Sequence, residues 1–66
     1  MLVNIINTVL NYVWYEIWQE LDGTEATYKA FRFDGELGTA RTVAVEWKEC
    51  HAERAIKSDM ARLGIA

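Results

Sequence analysis

The spacing of apolar positions differs along the chain, and each spacing predicts its own element. Ala52, Ala55, Ile56, Met60 and Leu63 fall at offsets 0, +3, +4, +8 and +11, one side of a 3.6-residue helix. Glu53, Arg54, Lys57, Ser58 and Arg62 take the opposite side, with Glu53 and Lys57 in the favourable i,i+4 order. Gly64 stands where a helix ends on a left-handed residue, and Ile65 can fold back onto the last turn. An amphipathic C-terminal helix is expected.

Upstream, the period falls toward two. Ala26–Asp34 is rich in aromatic and β-branched residues and sets Thr27, Lys29, Phe31 and Phe33 on one face. Thr42–Trp47 alternates with Val43, Val45 and Trp47 on one side and Thr42, Ala44 and Glu46 on the other. The intervening Asp34-Gly35-Glu36-Leu37-Gly38 supplies the glycines a hairpin loop needs for positive φ. These runs predict a β-hairpin.

Residues 1–21 fit both periods. Leu2, Ile5, Ile6, Val9, Leu10, Val13, Ile17 and Leu21 keep helical spacing, but the segment is loaded with β-branched, aromatic and Asn residues, which are mediocre helix formers. Tyr12–Leu21 also reads as a strand, with Tyr12, Trp14, Glu16, Trp18 and Glu20 against Val13, Tyr15, Ile17 and Leu21. Asp22-Gly23-Thr24-Glu25 would be its turn. The strand reading gives a regular meander. The expected fold is therefore α+β: a small antiparallel meander of about three strands packed against one C-terminal amphipathic helix. Residues 2–10 would add a strand or a short helix. A hairpin flanked by two helices is the competing arrangement. Residues 1–66 form a single domain, with no repeat or linker.

Size changes the picture next. A chain this short buries only about 60% of the surface its unfolded form exposes, so reinforcement is expected. Cys50 is the only cysteine, which excludes an intrachain disulfide, and Cys50 with His51 makes too small a set for a zinc site. No metal and no cofactor is called for. Oligomerisation is the remedy left. A hydrophobic content of 52% argues against disorder. The unpaired cysteine and the lack of a signal-peptide pattern favour a cytoplasmic protein. Met1–Tyr15 is too short, and too interrupted by Asn4, Asn7, Thr8 and Asn11, to span a bilayer.

The net charge of −3 argues against general nucleic-acid binding, which draws its affinity from Lys and Arg on phosphates. It is unevenly spread. Residues 1–15 carry no charged side chain, whereas residues 16–36 carry six acids against Lys29 and Arg32.

Three candidate chemistries remain. Cys50-His51 could pair a thiol with a base in a small enzyme with an interfacial site, but sequence neighbours at a helix start point in different directions. The expectation is a partly buried Cys50 filler, a surface His51 and no catalysis. A basic, aromatic-interleaved face could be built from Tyr28, Lys29, Arg32 and Arg41, giving a weak single-strand nucleic-acid binder. The third candidate is the strongest. Tyr12, Trp14, Glu16, Trp18 and Glu20 would share one strand face, and eight aromatics exceed what a small core needs. A sheet apolar on both faces with one short helix leaves one face uncovered. The expected function is a small non-catalytic module that binds another protein or its own copies, a form common among phage and mobile-element modulators of host proteins.

Overall fold

The Asp22-Gly23 turn and the Asp34–Gly38 loop each use one positive-φ glycine. Gly23 and Gly38 adopt φ values of 65° and 68°, and the Asp34 carboxylate caps the second loop by accepting from the Glu36 and Leu37 amides at 2.9 and 2.8 Å. The computed structural model, which describes residues 1–66, contains strands β1 (Leu2–Asn7), β2 (Val13–Asp22), β3 (Glu25–Asp34) and β4 (Thr39–Glu46), then helix α1 (Glu49–Leu63). The strands form one antiparallel sheet in the order β1-β2-β3-β4. The fold is α+β, and the ambiguous N-terminal segment holds two strands, β1 and nearly all of β2, which excludes the two-helix alternative. Tyr12 lies just ahead of β2 rather than within it, half-buried against the core.

Register assigns the faces, because directly paired residues point to the same side. Val13, Tyr15, Ile17 and Ala30 face α1 and are buried with Ala52, Ile56 and Ile65. The helix closes as its sequence predicts: Gly64 is left-handed at φ 69°, and the Ile65 amide donates to the Met60 carbonyl at 3.0 Å, folding Ile65 into the core. Leu63, expected on the buried side, is 41% exposed.

The edge strands depart from simple alternation. The pairing shifts between Leu2 and Asn4 in β1, and between the pairs Ala30–Ala44 and Phe31–Thr42 in β4. Each shift is a β-bulge, one extra residue that reverses which side follows. Val43 and Val45 therefore do not share a face. Val43 packs on the core, whereas Val45, opposite Lys29, stands on the other side and is 54% exposed.

One buried acid fixes the helix to the sheet. Asp59 is 8% exposed and sits on the α1 stripe with Ala52 and Ile56. Its carboxylate accepts from the Tyr15 hydroxyl on β2 at 2.5 Å, from Arg32 on β3 at 2.7 Å and from Arg62 one turn on at 2.5 Å. Burial alone would raise the Asp59 carboxyl, but these three donors outweigh it and hold its pKa below the ordinary value of 3.8. Burial, then the hydrogen bond to Asp59, pushes Tyr15 up to about 12. The Asp59 bond raises Arg32 as well. α1 is 15 residues long, and no helix is long and apolar enough to cross a membrane.

Removing the acid strands Tyr15 and Arg32, so Asp59→Ala is expected to cost about 3 kcal/mol in urea unfolding, and Tyr15→Phe about 1 kcal/mol. The pH dependence has two limbs. The folded Asp59 pKa is depressed, so its contribution is present above pH 3.8 and is lost as pH falls through the lower folded value. Tyr15 is raised, so its contribution is full below pH 10.0 and is lost as pH rises toward about 12. Stability measured by urea titration from pH 2 to 12 should fall at both ends, and Tyr15→Phe should flatten the alkaline limb and, by removing one of the donors to Asp59, weaken the acid limb as well.

Candidate functional site

With α1 on one side, the other side of the sheet is open, and its rows follow from the register. Asn7, Trp14, Phe33 and Ala40 lie across the four strands in one row; Ile5, Glu16, Phe31 and Thr42 form the next. Leu2, Trp18, Lys29 and Val45 make the third, with Glu20 and Thr27 beyond. The face is apolar over most of this area, and Ile5 and Trp18 are 50% and 38% exposed.

The aromatic side chains are held by one another and by one carboxylate. Trp14 stacks on Phe33 with centroids 5.4 Å apart and planes 8° from parallel, and Phe31 tilts against Phe33 at 6.3 Å. Gly35 makes room for the stack: its Cβ, were there one, would stand 3.3 Å from the Trp14 ring. Glu16 lies between the two tryptophans. One carboxylate oxygen accepts from the Trp14 indole N–H at 2.9 Å, the other from the Trp18 indole N–H at 2.8 Å. At the far end Glu20 pairs with Lys29 at 3.0 Å, an exposed bridge.

Of the residues the sequence singled out for this face, Trp14, Glu16, Trp18 and Glu20 lie on it together. Tyr12 does not, since the strand begins one residue later. Sequence reasoning did not connect Phe31, Phe33, Ile5, Leu2 and Val45 to this set. Phe31 and Phe33 were legible as neighbours of Lys29 on one strand face, but their alignment with Trp14 and Glu16 depends on the β2–β3 register.

The basic set is divided. Lys29 is on the open face, whereas Arg32 and its cross-strand neighbour Arg41 lie on the helix side, as does Tyr28. Arg32 is committed to Asp59, and Tyr28 accepts from the Gln19 amide at 3.1 Å. The strand pleat separates Lys29 from Tyr28, so these four residues form no common groove. Cys50 is exposed rather than partly buried. His51 lines an open hollow with Glu46, Arg54, Ala55 and Ser58, and Cys50 is not among its walls.

No protein family, no curated protein and no solved structure matches this chain.

If Glu16 holds both indoles, Glu16→Ala should cost about 1–2 kcal/mol, because the half-buried Trp14 N–H loses its acceptor. Glu20→Ala, which breaks only an exposed pair, should cost no more than about 0.5 kcal/mol. Paired urea melts followed by tryptophan fluorescence separate the two.

Proposed function

We propose that this chain is a non-catalytic protein-binding module that docks on a larger protein through its open sheet face. The observation that carries this reading is the contiguous apolar surface around Trp14, Phe33, Phe31, Trp18 and Ile5, left without cover by the single helix. Apolar patches of this kind mark interaction sites, and tryptophans dominate their energetics.

The polar atoms of the face support the same reading. Both indole N–H groups already have their acceptor in Glu16, so covering the tryptophans orphans no donor. The Glu16 carboxylate has lone pairs to spare, and Glu20 lies further along the same strand. A partner that covers the face must supply cations to these acids, because burying a carboxylate without a partner is costly. The partner surface that fits is apolar with arginine or lysine placed to meet Glu16 and Glu20. An acidic rim of this kind also steers a basic partner into register.

The test is affinity capture from native lysate with the tagged chain and two variants. Trp18→Ala and Glu20→Lys are each expected to keep the fold by circular dichroism, since neither residue is buried. Trp18→Ala should weaken retention of the captured protein by about 30-fold, the scale of a hot-spot truncation of 2 kcal/mol, and Glu20→Lys should make it more sensitive to salt. A partner retained equally by all three proteins would show that the open face is not its docking surface.

A further inference from the structure

The sheet has two edges, and they differ in the property that governs pairing between chains. An edge strand offers unpaired N–H and C=O groups, and proteins blunt such edges with charge, proline or a covering element. β4 carries Arg41 and Glu46 and is the strand α1 packs against most closely. β1 lacks charge, proline and a covering helix, and its one blunting feature is the bulge near its start. Its sequence, Leu-Val-Asn-Ile-Ile-Asn, is free of charge and proline, and α1 contacts β4, β3 and β2 but not β1. The bulge at Leu2/Asn4 leaves Asn4–Asn7 as a regular segment, paired inwardly with β2 and open outwardly.

We propose that β1 is a self-association edge. It pairs antiparallel with β1 of a second copy about a two-fold axis at Ile5, joining two four-stranded sheets into one of eight strands. The occupant follows from charge. Each chain carries a net −3, so a like copy is admitted only where acids are kept apart, and β1 is the one strand without a charged side chain. The acid nearest the edge is Glu16, opposite Ile5 on β2. Across a β1–β1 junction the two Glu16 residues lie three strand spacings apart, ~14 Å, beyond the ~8 Å screening length at physiological salt.

Register then selects the axis. Side chains on paired residues must share a face, so a two-fold axis within the regular segment must pass through a residue and not between two. An axis at Ile6 would duplicate a side chain that already packs on the core. An axis at Ile5 brings two half-exposed isoleucines together on the open face and sets Asn4 beside Ile6 of the second copy. Both open faces then lie on one side of the joined sheet and both helices on the other. This association does not depend on what the open face binds.

Sedimentation equilibrium over a dilution series should give a mass rising to twice 7.6 kDa for the native chain. Ile5→Lys, which opposes two ammonium groups at the axis, should stay monomeric with native circular dichroism. Val45→Lys, on the same face at the far edge, should still associate. In a Cys50→Ser background, mild oxidation should link Ile5→Cys chains into a covalent dimer and leave Val45→Cys chains monomeric; this decides the matter even where Ile5→Lys does not fold. A native chain that is monomeric at every concentration overturns the proposal. So does a dimer that survives Ile5→Lys but is broken by Val45→Lys or Trp18→Ala, which would place the contact on the open face.

Discussion

A carboxylate taken out of water must be met by donors, and Asp59 is met from three directions: Tyr15 on β2, Arg32 on β3 and Arg62 on its own helix. Two of these partners are 44 and 27 residues away, so the acid ties the end of the chain to its middle. The apolar stripe of α1 could slide or rotate on the sheet at small cost, because hydrophobic contact is non-directional. The hydrogen bonds of Asp59 cannot. They set the position of the helix along the strands and the face it covers, and every later feature of the surface follows from that choice.

Geometry around this anchor is consistent with it. Ala30 on β3 and Ala52 on α1 are both fully buried, and small residues allow a helix to approach a sheet closely. The bulky Trp14, Phe31 and Phe33 lie on the opposite side, where they pack laterally against one another instead of beneath a helix. The outcome is a two-layer molecule about one helix and one sheet thick, with extents of 37 × 21 × 15 Å. A single helix of ~10 Å diameter covers about two strand spacings in all, one on either side of its axis. Placed toward β4, it leaves β1 uncovered on the far edge, and the open face has no second layer at all.

The uncovered surfaces are not alike. The open face is apolar but ordered, with ring stacking and a carboxylate that satisfies two indoles, and it carries the acids Glu16 and Glu20. The β1 edge is uncharged, offering main-chain groups and the Asn4 and Asn7 amides. The first suits a foreign surface that brings its own cations; the second suits a strand that brings neither charge nor bulk. Cys50 and His51 do not converge on one hollow, and Arg32, the most central base, is already spent on Asp59.

The elements with local signals were legible from the sequence. The helix and its Gly64 end, the two Asp-Gly turns, and the alternation within β2 and β3 depend on residues a few positions apart, and they stand where the spacing places them. Asp59 also left a trace, a charged residue on the stripe of Ala52 and Ile56, though its spacing alone does not reveal the partners that make it tolerable there. The face covered by α1 could not be read, because both sides of β2 are apolar and the choice rests on contacts far apart in the chain. The bulges at Val3 and Val43 are equally silent, since an extra residue in a strand has meaning only against its neighbour. Local alternation therefore determined the strands and the helix, while long-range pairing and one buried carboxylate decided which residues face water.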